Sequence, residues 1–448
     1  MLIPHNMKGQ KIGVLGLGES GLAAIAALKA AGAHVFAFDD LKTQQDIPQI
    51  TLTNWCDWPW HELEAMVISP GIPHKYPVPH PAAAHANRHQ ISIISEVELA
   101  LRAKPRARLV AITGTNGKST TTALIGHCLK TAKCPVAIGG NLGNAACSLD
   151  DPGEHGILVL ELSSYQLETT PSLKTSISIL LNISPDHLDR HGGMAGYIAA
   201  KALILERIEK SGLAIIGAGD EHVKTLAKVT AAKGIKTMIA SPDLAPVDQK
   251  ASTALPGTHN KENAAAAALA LDALGLDDQM INRGISSFTS LPHRLQRVAS
   301  CGKVQFINDS KATNGIAAAK ALTSFNDIYW VAGGLAKQDG LSPTIPHLSA
   351  VKKAYLIGTA APTFATSLSG ICPVAICDNL EQATRAAFDD ASANPDGGTI
   401  LLAPAAASFD QFTSFGARGE AFAALAQALC AAGYAENNAK TIRRDNHA

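Results

Sequence analysis

Short apolar runs rich in valine and isoleucine alternate with alanine-rich stretches of helical period along this 448-residue chain. Runs of five or six apolar residues without polar alternation fit strands buried on both faces of a parallel sheet, and the helical stretches between them supply the crossovers. The pattern predicts an α/β protein built from βαβ units. Lys11-Ile-Gly-Val-Leu15 is the first strand, Leu109-Val-Ala-Ile-Thr113 leads the middle third, and Gly156-Ile-Leu-Val-Leu160 and Ile177-Ser-Ile-Leu-Leu-Asn-Ile183 follow it. In the last third Asp327-Ile-Tyr-Trp-Val-Ala332, Ala354-Tyr-Leu-Ile357 and Thr399-Ile-Leu-Leu-Ala403 read as buried parallel strands. Stretches 123–129, 197–204 and 264–274 read as helices, while 435–448 is polar and aperiodic and is assigned no element.

Length and charge narrow the picture. A chain this long exceeds one hydrophobic core, so three domains are expected, at 1–98, 99–291 and 292–448. Lysine plus arginine and aspartate plus glutamate number 38 each, without a basic block, which points away from nucleic acid and anionic membrane surfaces and toward small molecules. The eight cysteines, at 56, 128, 134, 147, 301, 372, 377 and 430, form no Cys-x-x-Cys pair and are expected as reduced thiols. No apolar leader or bilayer-length stretch is evident, so a cytoplasmic protein is expected.

The run Leu109 to Thr122 carries the sharpest chemistry. An apolar strand enters Gly114-Thr-Asn-Gly-Lys-Ser-Thr120 and a helical pattern leaves it. Gly114 and Gly117 let backbone N–H groups face an anion, Lys118 supplies a charge for phosphates, and Ser119 offers a hydroxyl to Mg²⁺. Ile112 stands where the longer P-loop pattern has its first glycine, so this is a compressed form. A nucleoside triphosphate is the expected ligand. Gly16-Leu-Gly18-Glu-Ser-Gly21, followed by Asp39-Asp40 at the end of the next strand, forms a second glycine motif. That motif fits a tight packing turn, a nicotinamide cofactor, or the diphosphate of a nucleotide-linked substrate. An NAD-dependent oxidoreductase and a P-loop switch stay open on these residues alone.

Six ordered motifs bear on the choice. Gly114-Thr-Asn-Gly-Lys-Ser-Thr120, Glu161-Leu-Ser-Ser-Tyr-Gln-Leu-Glu168, Asn182-Ile-Ser-Pro-Asp-His-Leu-Asp-Arg190, Gly257-Thr-His-Asn-Lys-Glu-Asn263, His293-Arg294 and Asn308-Asp-Ser-Lys-Ala-Thr-Asn314 together resemble the Mur ligases of peptidoglycan synthesis over nearly the whole chain. The resemblance implies an ATP-dependent amide ligase that passes through an acyl phosphate, with a Rossmann-like N-terminal domain, a P-loop-type central domain and a Rossmann-like C-terminal domain. Asn308 to Asn314 and Ala407-Ser-Phe-Asp-Gln-Phe412 point within the family to D-glutamate as acceptor and UDP-N-acetylmuramoyl-L-alanine as donor, and no Asp-Asn-Pro-Arg-like motif of the diaminopimelate- or lysine-adding relatives is found. Other Mur-type and folylpolyglutamate-like ligases are the same-class alternatives.

The resemblance assigns residues. Catalysis falls to Lys118, Glu161, His187 and Lys201, with Ser119, Glu161, His187 and a carbamylated Lys201 around Mg²⁺ or Mn²⁺. ATP falls to Gly114, Thr115, Asn116, Gly117, Lys118, Ser119 and Thr120, with Asn260, Asn263, Arg294 and Asp309. The UDP donor falls to Gly18, Glu19, Ser20, Asp39, Ser69 and Asn141, and D-glutamate to Lys311, Thr313, Lys337, Ser408 and Phe415. Without the resemblance Lys201 reads as a solvated helix lysine, His187 as a structural histidine, Asn260 as a helix cap, Asp309 as a turn residue and Lys337 as a loop charge. The small and apolar neighbours of Lys201 favour its neutral amine, the form that reacts with CO₂. One departure stands out: Asp39-Asp-Leu-Lys42 replaces the family's Asp followed shortly by Thr and Arg, which leaves either Lys42 as the basic partner on the donor side or the uridine contacts rearranged. A monomer is expected.

Overall fold

The computed structural model describes residues 1–46, 49–141, 143–245, 255–336 and 340–445, with the backbone alone for 432–445. In chain order the strands are β1 (Lys11–Leu15), β2 (His34–Phe38), β3 (Leu63–Ile68), β4 (Ser92–Ile94), β5 (Arg108–Thr113), β6 (Val136–Gly140), β7 (Ile157–Glu161), β8 (Thr175–Leu180), β9 (Ile208–Gly217), β10 (Lys236–Ala240), β11 (Gln296–Cys301), β12 (Val304–Asn308), β13 (Ile328–Gly333), β14 (Leu335–Ala336), β15 (Val351–Ile357), β16 (Val374–Ile376), β17 (Gly398–Leu402) and β18 (Ala406–Ala407). The helices are α1 (Glu19–Ala30), α2 (Pro81–Arg88), α3 (Glu96–Arg102), α4 (Lys118–Thr131), α5 (Ser164–Glu168), α6 (Met194–Glu206), α7 (Glu221–Ala232), α8 (Thr258–Ala273), α9 (Asp278–Ser286), α10 (Gly315–Leu322), α11 (Ala361–Leu368), α12 (Leu380–Ala393) and α13 (Phe415–Asp445).

Three larger sheets result, ordered β2-β1-β3-β4, β10-β9-β8-β5-β7-β6 and β11-β12-β17-β13-β15-β16. The first two are parallel throughout. The third is parallel except at its edge, where β11 runs antiparallel to β12. Each expected strand is present at its sequence position, and β5, β7 and β8 read as buried runs because both faces are covered. The chain divides into two compact units, one of 1–248 with 261–288 and the other of 249–260 with 289–448.

In the first unit β5, β7 and β8 lie side by side, so their carboxyl ends gather the loops at 114–117, 161–163 and 181–187. Ligands of open α/β sheets bind at such strand ends. In the second unit Trp330 packs with α10 and α11 residues on one sheet face, and Phe306 and Phe422 pack on the other with α12.

Two expectations are corrected. Cys301 and Cys430 form a disulfide, with Cα atoms 5.3 Å apart, so the cysteines are not all reduced thiols. They lie 129 residues apart in sequence, and α13 returning onto β11 brings them together, which no spacing rule detects. The polar stretch from 435 continues α13 to Asp445, consistent with its alanine, glutamate, lysine and arginine content.

Candidate active site

The turn at 114–117 is held by the neighbouring strand end. Thr115 N–H donates to Asn182 O at 2.9 Å, Asn116 N–H donates to Asn182 Oδ1 at 2.8 Å, and Asn182 Nδ2 returns a bond to Asn116 O at 3.0 Å. The Thr115 hydroxyl lies 3.1 Å from both Ser184 O and Tyr197 Oη. Gly117 caps α4 with φ +86°, and a Cβ there would come within 2.3 Å of Asn263 Oδ1, so α8 presses a side chain onto this turn. Ser119 and Thr120 occupy the first helical turn beyond it.

Two lysines converge on this turn. Lys118 Nζ donates to Gly114 O at 2.8 Å and Thr115 O at 2.9 Å, and Lys201 Nζ, from α6, donates to the same Gly114 O at 2.8 Å. Lys201 is 1% exposed, with its Nζ 4.8 Å from the Tyr197 ring centre. Burial first, then the charge of Lys118, pushes its ammonium well below the usual lysine range against the pull of Asp186 and Glu161. The lysine that reads as a solvated helix residue in isolation is therefore a core residue.

Glu161 is 1% exposed; its Oε1 accepts from Asn141 Nδ2 at 2.8 Å, and its buried Oε2 has no hydrogen-bond partner among the described residues. An orphaned carboxylate oxygen beside a glycine turn has the chemistry to ligate a hard cation. Asn141, assigned by resemblance to the UDP donor, is thus bonded to Glu161. His187 takes left-handed backbone, φ +53°, with its Nε2 3.6 Å from Asp186 Oδ2 and its ring edge-on to Tyr165. No group of three or more histidine, cysteine, aspartate or glutamate side chains among the described residues is arranged to hold a metal by itself.

The first glycine motif is a tightly built turn. A Cβ at Gly21 would fall 1.9 Å from Gly16 O, whereas at Gly18, the N-cap of α1, it would meet nothing within 4 Å. Glu19 and Ser20 open the helix. Both carboxylate oxygens of Asp39 are used on backbone: Oδ2 accepts from Leu17 N–H at 2.6 Å, and Oδ1 from Leu41 N–H at 2.8 Å and Lys42 N–H at 3.1 Å. Ser69 Oγ donates to Gly16 O at 2.9 Å, and Lys42 Nζ donates to Leu17 O at 2.5 Å. Lys42 thus bonds the turn's own backbone. Asp40 carries the more exposed carboxylate, with His80 Nε2 3.0 Å from its Oδ2.

The second unit gathers other residues at the ends of β12, β13 and β17. Asp309 accepts from Leu295 N–H at 3.2 Å. Burial pushes its carboxyl up to about 7, against that bond and the nearby Arg294. Lys311 Nζ lies 4.1 Å from the Phe415 ring centre, and Thr313 N–H donates to Lys311 O. Ser408 is buried with its hydroxyl unpaired among the described residues. Asn260, in the first turn of α8, donates to Pro256 O at 2.8 Å. Lys337 lies outside the described residues. Sequence reasoning missed Arg418, which is 1% exposed and donates to Ser310 Oγ, Ser310 O and Ala406 O at 2.9–3.1 Å. Its only sequence signal is a single arginine in the polar segment after Phe412.

The Asp309 carboxyl gives a stability test. A group raised from 3.8 to about 7 keeps a proton in the folded chain that the unfolded chain has lost. Its contribution is complete below about pH 4 and lost as pH rises through about 7. In urea melts Asp309→Asn is expected to lose a downward contribution to stability across that window, while Glu96, which burial also raises to about 7, acts in the same direction and His259, which burial lowers to about 4, in the opposite one. A slope equal to the parent's would remove Asp309 as a source.

Comparison with known proteins settles the family. Residues 112–245 match the Mur ligase middle domain. The UDP-N-acetylmuramoylalanine–D-glutamate ligase of Rhodospirillum rubrum is 42% identical across 95% of this chain and 96% of its own length. The chain belongs to the Mur ligase family, among its D-glutamate ligases. The same-named protein of Rhizobium meliloti is 41% identical to this Mur ligase, across 96% of this chain and 98% of its own. UDP-N-acetylmuramate–alanine ligase of Thermotoga maritima shares the Mur ligase fold, with a TM-score of 0.58 over 93% of this chain and 99% of that one, at 19% identity. Mur ligases use ATP, so the nucleotide expected at the 114–120 turn is that of the family. Among the described residues of this Mur ligase no helix is long and apolar enough to cross a membrane.

Proposed function

We propose that the protein joins D-glutamate to UDP-N-acetylmuramoyl-L-alanine at the expense of ATP, as a cytoplasmic monomer with domains at 1–98, 99–291 and 292–448. The observation that carries the reading is the convergence of Lys118 and Lys201 on Gly114 O, in the same ligand-facing strand-end layer as the orphaned Glu161 oxygen. That arrangement suits a reaction in which a triphosphate and a carboxylate, which repel each other, must meet.

In this reading the donor's carboxylate oxygen attacks the γ-phosphorus, ADP leaves, and the acyl phosphate is attacked by the D-glutamate amine to give amide and phosphate. Lys118 and the α4 N-terminus of the 114–120 turn orient the triphosphate, Asn263 is pressed against that turn, and the family resemblance gives Asn260, Arg294 and Asp309 to ATP as well. Glu161 and His187, with Ser119 and Lys201, would hold Mg²⁺ or Mn²⁺, which supplies charge neutralisation between phosphate and carboxylate. A neutral, buried Lys201 amine fits carbamylation: its nitrogen bonds CO₂, a proton leaves, and an anion suited to a cation results. Gly18, Glu19, Ser20 and Ser69 line the UDP side, with Asp39 shaping the turn and Asn141 orienting Glu161. Lys311, Thr313, Lys337, Ser408 and Phe415 receive D-glutamate, whose two carboxylates call for cations and hydroxyls.

Phosphate release from Mg-ATP with UDP-N-acetylmuramoyl-L-alanine, measured in parallel with D-glutamate, L-glutamate and L-alanine, tests the reading. Release with amide product in the D-glutamate arm alone is expected. Release with another amino acid would move the protein to a different ligase specificity, and no dependence on any would reject ligase chemistry.

A further inference from the structure

The first unit holds a buried ionisable cluster that none of these roles uses. Glu168 ends α5; its Oε2 lies 3.3 Å from His191 Nδ1 and 3.7 Å from His74 Nε2, and its Oε1 lies 3.6 Å from Lys75 Nζ. The His191, His74 and Glu168 side chains are 1%, 9% and 16% exposed. Oε2, Nδ1 and Nε2 have no hydrogen-bond partner of ordinary geometry among the described residues, and burial holds His74 below the usual imidazole range against the pull of Glu168. Burial raises the Glu168 carboxyl, but the His191 contact and the fields of His74, His191 and Lys75 outweigh it and hold the group below its usual range.

The groups come from two places in the chain. His191 closes the short 3₁₀ turn Leu188–His191, a few residues beyond Asp186 and His187, and its Nε2 is 2.9 Å from Ser164 Oγ. His74 and Lys75 belong to the turn that follows β3 and Ser69. Arg190 ties the same two segments, donating to Gly71 O at 2.9 Å and Pro70 O at 3.4 Å while its guanidinium lies 4.5 Å from the Tyr165 ring centre. Ser164, His191 and Glu168 are ordered like a nucleophile, base and acid, but Ser164 is 4% exposed and presents no hydroxyl to a substrate. The arrangement positions rather than reacts.

We propose that Glu168 is a positioning residue, a latch that gathers His191 on one side and His74 and Lys75 on the other, holds the 69–76 turn against the loop bearing His187, and so sets the affinity for the nucleotide-linked donor. The donor clause rests on the function proposed above; the latch itself does not.

Two readouts on the full chain separate them. Hydrogen exchange of the 69–76 amides without any ligand is expected to be about tenfold faster in Glu168→Gln than in the parent. The KM for UDP-N-acetylmuramoyl-L-alanine is expected to rise about tenfold, with the KM for ATP changed less than twofold. Unchanged exchange overturns the latch, and equal rises in both KM values make Glu168 a general structural residue instead. His74→Gln removes one arm only and is expected to move exchange and donor KM about threefold in the same direction. If it moves neither, the latch is overturned even where Glu168→Gln fails to fold. Failure of the parent to form amide with any amino acid would reject the function, and the exchange result would still decide the latch.

Discussion

Lys118→Ala lowers the rate of D-glutamate-dependent phosphate release by about 10²–10³-fold, the usual effect of removing one preorganised charge from a transition state. Lys118 opens α4, where the helix N-terminus already favours an anion. In the proposed reaction the ammonium is a mobile full charge able to follow the γ-phosphoryl group as it transfers. Its bonds to Gly114 O and Thr115 O lie within the turn, and Lys201 still reaches Gly114 O, so the variant is expected to fold with the parent's circular dichroism. A kcat within twofold of the parent would exclude Lys118 from the phosphate site.

Lys201→Met is expected to abolish turnover and yet melt higher. In the folded chain burial and Lys118 depress the Lys201 ammonium, whereas the unfolded chain holds it protonated up to the ordinary lysine value of 10.5. Folding therefore disfavours the bound proton, and the residue's contribution to stability improves as pH rises toward 10.5 and worsens as pH falls toward the depressed value. An apolar side chain of similar length removes that cost, raising Tm by about 2–4 °C for each kcal/mol recovered. The carbamylation proposed for Lys201 has a second test: with it, the parent loses at least about tenfold of its rate in CO₂-free buffer and regains it with bicarbonate. A parent indifferent to CO₂ would leave Lys201 as an unmodified buried amine bonded to Gly114 O. A variant less stable than the parent would show that its bond to Gly114 O outweighs the buried charge.

The strands and the glycine turns were legible because their signals are local. Leu109 to Thr113 is an apolar run bounded by a turn, and Gly117 needs the left-handed backbone that its place before Lys118 suggests. What could not be read locally is what distant segments do to a side chain. Lys201 is surrounded by alanines in sequence, but its burial comes from β5 and the turn after it, 87 residues earlier. Asp39 fits the acidic position of a dinucleotide fingerprint, yet three backbone N–H groups absorb its carboxylate. Asn141 bonds Glu161 because β6 and β7 are neighbours in the sheet, a pairing that the order of strands along the chain does not reveal. Arg418 and the Cys301–Cys430 pair depend in the same way on α13 crossing the third sheet.

The first unit is not one continuous stretch of chain, and this matters while the protein is being made. Residues 1–248 leave the ribosome before the stretch at 261–288 that completes the unit. Helix α9 in that stretch packs on α4, so closely that a Cβ at Gly284 would fall 2.6 Å from Cys128 Sγ. The nascent chain therefore carries its 114–117 turn on a helix with one face still bare until about 40 further residues have been added, a few seconds of synthesis. A fragment ending at 248 repeats that unfinished state permanently, whereas one ending at 288 includes the packing partner; a cut made at the gap between sheets would sever the unit it was meant to isolate.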